Sequence, residues 1–283
     1  MKDLKTYKYK LPDHFNLYDI MESGQVFMYY PHEKGFIIQT LNKRTYLEED
    51  GDTLIIKTDH DPAIFLHYLD YDYDYERDFQ LLEDIGFPSD VLEYSDGIRL
   101  LNQDLEEIVF SFIISQNNNI KRIKKIINAL RESVGDKMSD SFGEYYSFPR
   151  ADQINKLSVE DLREMGAGYR DKYIKNTAEF LTNNPNFLAQ TLKLDTKSAH
   201  TELLTLSGVG PKVADCILLF GMGKRDVFPL DTWMEKVFLE RFYQEKNRVK
   251  MANAGTKAYG NLSGLAQQLY FYHIRTAGKW KSK

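Results

Sequence analysis

Two textures of hydrophobic patterning divide this chain. Between residues 26 and 58, apolar and β-branched residues gather in short runs: Val26-Phe27-Met28-Tyr29-Tyr30, Gly35-Phe36-Ile37-Ile38-Gln39-Thr40 and Thr53-Leu54-Ile55-Ile56-Lys57-Thr58. The last run follows Glu49-Asp50-Gly51-Asp52, a polar segment with a glycine that suits a hairpin turn. These runs predict an antiparallel sheet with a helix against it around Pro62 to Tyr68. From about Gly97 the period changes. Leu105, Ile108, Val109, Phe112 and Ile113 fall at helical spacing, as do Ile123, Ile126, Ile127 and Leu130. Helical segments then recur to the C-terminus, with breaks expected at Gly135, Pro149, Gly166 to Gly168, Pro185, Gly208 to Gly210, Pro229 and Gly255 to Gly260. The pattern predicts an α+β chain: an antiparallel β-sheet domain over residues 1–96 and a helical domain over 97–283.

Composition narrows the class. The 283 residues are 42% hydrophobic, enough for a full core and two or three domains. A single cysteine leaves no disulfide framework and no Cys/His spacing suited to zinc. Met1-Lys2-Asp3-Leu4-Lys5-Thr6 contains no apolar run, and no segment is long enough to span a membrane. The expectation is a soluble cytoplasmic protein without a targeting signal. The net charge of −5 argues at first against a nucleic-acid partner. Its distribution reverses that. Residues 1–97 hold 9 Lys/Arg against 21 Asp/Glu, a net −12, whereas 98–283 hold 28 against 21, a net +7. DNA is expected to meet the second part. Much of the acid lies in Asp70-Tyr71-Asp72-Tyr73-Asp74-Tyr75-Glu76, read as a solvated connector with anchoring tyrosines.

The most informative stretch is Leu206-Ser207-Gly208-Val209-Gly210-Pro211-Lys212-Val213-Ala214-Asp215-Cys216, followed by Pro229-Leu230-Asp231. Two glycines one residue apart allow a tight turn and bring backbone N–H groups against a phosphate. Pro211 is suited to open a helix. Lys212 then sits in the first turn, where the helix dipole disfavours its ammonium form, making it a candidate amine nucleophile. Asp231, nineteen residues on and near a proline, can open the next helix and face it. Each piece has a plainer reading: an ordinary turn, a solvated lysine, an N-cap. Their combination in this order makes coincidence improbable.

Taken together, these residues resemble the helix–hairpin–helix and Gly-Pro-Asp motif of the base-excision DNA glycosylases, in the lysine-bearing, bifunctional branch. A narrower resemblance, from about Gly24 to Arg275, is to the 8-oxoguanine DNA glycosylase/lyase family. It is carried by Ser23-Gly24-Gln25-Val26-Phe27, Gly97-Ile98-Arg99-Leu100-Leu101-Asn102-Gln103-Asp104, Ser115-Gln116-Asn117-Asn118-Asn119-Ile120, Gly168-Tyr169-Arg170, the Lys212 motif and Ala266-Gln267-Gln268-Leu269-Tyr270-Phe271. Bacterial 3-methyladenine glycosylases share the architecture but lack the hairpin lysine. The resemblance implies a two-lobed, all-helical core with the active site between its lobes. It implies Lys212 and Asp231 as catalytic residues, damaged double-stranded DNA as partner, a monomer associated with the nucleoid, and no cofactor. A single cysteine also excludes the four-cysteine iron–sulfur cluster of some related glycosylases.

The resemblance assigns further roles. Tyr169, in a glycine-rich turn, becomes the wedge that fills the gap left by an extruded base. A tyrosine packed beneath that loop is the alternative. Asn117, Arg122 and Arg170 match family residues that hold the orphaned partner base, a set that suits cytosine. Phosphate contacts for the arginines and a cap for Asn117 are the plainer readings. Gln267 and Phe271, four apart on one helix face, could read the Watson–Crick edge and stack on the ring of a guanine-derived base. Cys216, one turn after Lys212, could form the opposite wall, though Cys216 and Phe271 taken alone read better as core. The resemblance places the Gly24 carbonyl at N7 of the lesion. Amides of Gly208, Val209 and Gly210 would hold a DNA phosphate, and carbonyls of Leu206 and Val209 a structural monovalent cation; no catalytic metal is called for. Trp233 stands where better-known members carry a histidine among their phosphate contacts. The expected activity is release of 8-oxoguanine, preferentially opposite cytosine, followed by strand cleavage through a Lys212 Schiff base. The alternatives are excision of alkylated purines or oxidised pyrimidines, and a non-catalytic helix–hairpin–helix DNA clamp.

Overall fold

The computed structural model describes residues 4–241 and 247–277. Five strands, β1 (Lys5–Lys10), β2 (Tyr29–His32), β3 (Gly35–Thr40), β4 (Lys43–Asp50) and β5 (Thr53–Thr58), form an antiparallel sheet in the order β1-β5-β4-β3-β2. The β4–β5 hairpin pairs Asp50 with Thr53 across the turn expected there. Helix α1 (Leu17–Glu22) and helix α2 (Ala63–Tyr68) cover one face of the sheet. Ile20, Met21, Ile38, Leu47, Leu54, Ile56 and Phe65 are fully buried between them.

All remaining helices belong to the larger body. They are α3 (Tyr75–Asp84), α4 (Ser89–Tyr94), α5 (Leu105–Ser115), α6 (Ile120–Val134), α7 (Ala151–Ile154), α8 (Val159–Glu164), α9 (Asp171–Asn183), α10 (Phe187–Leu192), α11 (Thr196–Leu203), α12 (Pro211–Met222), α13 (Thr232–Arg241), α14 (Arg248–Tyr259) and α15 (Ser263–Thr276). The stripe read on α6 is the buried one: Ile123, Ile126, Ile127 and Leu130 face inward while Lys121, Arg122 and Lys125 face solvent. Helices α3 and α4 lie before residue 97, yet Phe79, Leu82, Val91 and Leu92 pack into the helical core.

Three local expectations are corrected. A short hairpin, β6 (Lys137–Asp140) with β7 (Gly143–Tyr146), interrupts the helical part. Gly255 does not break α14. A Cβ there would stand 2.7 Å from the Phe228 ring, so the glycine serves close packing inside a continuous helix. The acidic run is only partly a solvated connector. Asp72, Tyr73 and Asp74 are exposed, but Tyr75 and Asp78 are buried, and Asp70 is ion-paired with Arg225 and accepts from the Tyr75 hydroxyl at 2.9 Å.

One arginine welds the two bodies. Arg99, 1% exposed, donates to the carbonyls of Asp13, His14, Asp70 and Tyr71 at 2.7–3.2 Å. It also lies 4.3 Å from the Tyr75 ring centroid. Nearby, the Gln25 side chain donates to the Arg99 carbonyl and accepts from Leu101 N–H, so the Ser23-Gly24-Gln25 turn is pinned to the helical body. Among the described residues no helix is long and apolar enough to cross a membrane.

Candidate active site

Helix α11 enters and α12 leaves a hairpin held from below. Gly208 takes φ +79°, and a Cβ on it would stand 2.6 Å from Tyr173. Both its conformation and its neighbour therefore require glycine. Gln116 Nε2 donates to the Gly208 carbonyl and Thr177 Oγ1 to that of Ser207, both at 2.8 Å. Gly210 precedes α12 with φ −92° and no side-chain cap. The first-turn amides of α12 thus face outward unpaired by a capping side chain, as an anion site requires. Pro211 occupies the first helical position, as expected.

Lys212 and Asp231 line a single cleft of about 880 Å³. Asp231 caps α13: its Oδ1 accepts from the amides of Trp233 and Met234, both at 2.9 Å. Lys212 Nζ lies 5.0 Å from the Phe112 ring centroid and is hydrogen-bonded to Cys216. Burial works against its ammonium, but Cys216, Asp231 and Asp215 work for it, and the sum lies above the ordinary lysine range. The expected depression by the helix dipole is therefore overridden by these neighbours. Burial pushes the Cys216 thiol up to about 11, so near neutral pH it is uncharged, and the ammonium is held by Asp231 together with whatever fraction of Asp215 is ionised. Asp215 is itself pushed up to about 7 by burial, against the pull of Lys212. Its Oδ1 faces His200 Nε2 at 3.4 Å, and burial pushes that imidazole down.

The same cleft brings in Asn117, Arg122, Tyr169 and Gly210. Tyr169 is 54% exposed on the 3₁₀ turn Gly168–Arg170, with its ring edge against Tyr173. It is not packed beneath the loop. Asn117 is exposed with φ +44°, just past the end of α5. Arg122 is exposed and donates to the Gly166 carbonyl at 2.9 Å. Arg170 is not on the cleft wall. It is 2% exposed, and its guanidinium donates to the carbonyls of Gln116, Asn117 and Ala167, bracing the Asn117 turn.

Gly24, Cys216, Gln267 and Phe271 do not line this cleft either. Cys216 is buried beneath Lys212, and Gln267 is 4% exposed with its Oε1 lacking a partner among the described residues. Gly24 takes φ +86°, and a Cβ on it would stand 3.0 Å from Phe271 Cε1, so the Gly24 turn and Phe271 meet across the two bodies. Gln268 Nε2 donates to the Ser23 carbonyl at 3.0 Å, which fixes that juncture. Sequence reasoning missed Arg248, a further basic lining residue paired with Glu235 at 2.7 Å. It sits on a helix whose pattern carries no motif.

Known proteins resemble this chain in sequence and in fold. The model of the HhH-GPD superfamily base excision DNA repair proteins matches residues 110–258. A probable N-glycosylase/DNA lyase of Methanothermobacter thermautotrophicus is 31% identical over 262 residues, covering 84% of this chain and 80% of that one. The N-glycosylase/DNA lyase OGG1 of Arabidopsis thaliana is 35% identical over 62% of this chain; the match spans about half, 51%, of that relative's length. Among solved structures, the Clostridium acetobutylicum 8-oxoguanine glycosylase/lyase in complex with duplex DNA containing cytosine opposite 8-oxoguanine superposes with a TM-score of 0.90. Its identity is 32%, over 98% of this chain and 99% of that one.

Proposed function

This chain belongs to the HhH-GPD superfamily of base excision DNA repair proteins, and we propose that it is a bifunctional DNA glycosylase and abasic-site lyase that removes 8-oxoguanine opposite cytosine. One observation carries the reading: a lysine and an aspartate, each at the start of a helix, share one cleft beside an uncapped helix N-terminus. A DNA clamp needs the glycines and the free amides but has no use for Lys212 opposite Asp231.

In the proposed reaction the duplex phosphate docks on the amides around Gly208, Val209 and Gly210. Main-chain carbonyls of Leu206 and Val209 are hard oxygen donors that would suit a structural monovalent cation. Tyr169 fills the vacated stack, while Arg122 and Asn117 hold the orphaned cytosine and Arg170 braces their turn. In the pocket behind Lys212, the Gly24 carbonyl, Gln267 and Phe271 read and stack the extruded base, with Cys216 as the opposite wall. The neutral form of the Lys212 amine, a minor fraction near neutral pH because its pKa is raised, attacks C1′, forming a C–N bond as the glycosidic bond breaks. The electron pair leaves on the base, which takes up the proton shed by the nitrogen. The Asp231 carboxylate stabilises the positive charge on the sugar. Ring opening gives a Schiff base, whose cationic imine acidifies the C2′ proton; loss of that proton expels the 3′ phosphate. The protein acts on DNA as a monomer in this reading.

Borohydride reduction on a duplex with 8-oxoguanine opposite cytosine tests the reading. The expected result is a covalent protein–DNA adduct and base release, both lost in Lys212→Gln, with duplex binding largely kept. Absence of an adduct from the unaltered chain, or normal excision by Lys212→Gln, refutes the mechanism.

A further inference from the structure

Arg275 carries a role that nothing above gives it. On α15 it follows Gln267 and Phe271 at successive intervals of four, so the three share a face that spans about 12 Å along the axis. That face meets the Gly24 turn. A Cβ built on Gly24 would collide with Arg275 Nη1 and crowd Phe271 Cε1 at 3.0 Å, so the guanidinium lies directly against the glycine backbone. The guanidinium carbon lies over the Phe271 ring, 5.3 Å from its centroid. Nη1 is fully enclosed and has no hydrogen-bond partner among the described residues. At the other end of the same face, Gln267 Oε1 is enclosed and unpartnered too.

Leaving a charged donor buried and unsatisfied costs more than a typical hydrogen bond returns. One buried donor and one buried acceptor without partners, flanking one aromatic floor, mark a place where a ligand completes the bonding. Asp231 is among the charges that act on Arg275. Burial pushes its guanidinium down, while Glu22, Tyr29, Tyr272 and Asp231 act in its favour. Tyr272 and Glu22 are themselves engaged, with Asp19 and with the Tyr29 hydroxyl respectively, which leaves Nη1 free to point at what lies on Phe271.

We infer that Arg275 is a specificity-determining residue of the base pocket, donating from Nη1 to a carbonyl oxygen that flanks N7 of the extruded oxidised purine. This rests on the reading of the pocket given above. In 8-oxoguanine N7 carries a hydrogen and lies between two oxygens, O6 and O8. A main-chain carbonyl at Gly24 accepting from N7–H would then work beside an arginine donating to the neighbouring oxygen. Acceptor and donor side by side match the oxidised edge; an unmodified guanine offers a lone pair at N7 and no O8.

Single-turnover base release by the full-length protein tests this, using 8-oxoguanine, 8-thioguanine (sulfur in place of O8) and 8-oxoadenine (an amine in place of O6), each in the same duplex. A buried hydrogen bond from a charged donor predicts that Arg275→Met slows release of 8-oxoguanine about 10- to 100-fold. Arg275→Lys, which keeps a donor, is expected to lose less. Cleavage of a pre-formed abasic duplex, which presents no base, is expected to change far less than base release. The ratio of unaltered to Arg275→Met rates should shrink toward unity on the analogue that lacks the oxygen being read: 8-thioguanine for O8, 8-oxoadenine for O6. An equal ratio on all three bases, a faster Arg275→Met, or an equal loss at abasic sites overturns the assignment. Should the unaltered chain form an adduct on abasic DNA yet release no 8-oxoguanine, the substrate reading itself fails, and this inference with it.

Discussion

Replacing Asp231 by asparagine separates a structural role from a chemical one. Asp231 Oδ1 accepts from two amides at 2.9 Å, and an asparagine oxygen can accept the same pair. Asn and Asp rank together as N-caps, whereas losing a cap outright costs about 0.5–2 kcal/mol. What remains is the loss of a charge at a helix N-terminus, about 0.3–1 kcal/mol, or a fall in melting temperature of at most about 4 °C for a chain of this size. The chemical loss is larger. Removing one preorganised group that stabilises developing charge typically costs about 10²–10³ in rate, or about 2.7–4 kcal/mol. Single-turnover release of 8-oxoguanine and a thermal melt on the same preparation measure both. The pH dependence adds a sign. Asp231 is among the charges that raise the Lys212 pKa. Without it the ammonium gives up its proton at lower pH, so the rising limb of the rate profile should move toward acid while its plateau falls. A variant that melts well below the unaltered protein yet reacts at the normal rate would leave Asp231 with a cap and nothing else.

Arg122→Met should relax the preference for cytosine opposite the lesion more than it lowers activity opposite cytosine. A good arginine–base contact is worth about 1–3 kcal/mol, and equal rates opposite all four bases in the unaltered protein would remove the assignment. Gly24→Val places a β-branched residue at φ +86° against Phe271; excision of 8-oxoguanine should collapse while cleavage at abasic sites falls far less, and normal excision would move the discriminating contact elsewhere. Gly210→Ala, at an ordinary φ of −92°, should change stability by no more than about 1 kcal/mol, the chain entropy saved being set against a poorer N-cap, yet weaken duplex binding; unchanged binding would refute phosphate docking at that amide.

The helix starts at Lys212 and Asp231 were legible because capping chemistry is local: a proline at the first helical position and a carboxylate one residue before α13 declare themselves within a few residues. Strands β3 (Gly35–Thr40) and β5 (Thr53–Thr58) were legible for a similar reason, being apolar runs bounded by turn residues, whereas β4 is mostly charged and shows no such run. Strand β1 was not. Lys5-Thr6-Tyr7-Lys8-Tyr9-Lys10 is a largely exposed edge strand whose lysines guard the edge, so it shows no hydrophobic run. Gly255 looked like a break because its reason for being glycine, the Phe228 ring, lies 27 positions away in sequence. Arg170 reads like Arg122 in a motif, but its burial under the Asn117 turn depends on where α5 ends in space. The Lys212 pKa is the same case in electrostatics. The helix dipole is visible in sequence, whereas the Asp231 and Asp215 charges that outweigh it become neighbours only on folding.

Three glycines around the site show why the motif carries chemistry and not only shape. Gly208 is demanded by the protein itself, through a positive φ and the Tyr173 ring beneath it. Gly210 is demanded by nothing in the protein: its φ is ordinary, and a Cβ there would meet no atom within 4 Å. As the N-cap of α12, glycine is the better cap, which opposes the unfolded-state entropy that alanine would save. In the proposed reading a backbone phosphate approaches the α12 amides closely there, and an added methyl group would stand in its way. Gly24 joins both cases, having a backbone conformation that side chains resist and a face pressed against Phe271 and Arg275. It is also a point where the acidic sheet domain reaches the helical body. This gives the charge segregation a purpose. In the proposed reading the basic body holds phosphate while the acidic one, kept away from the DNA backbone, contributes the Gly24 carbonyl that reads the base.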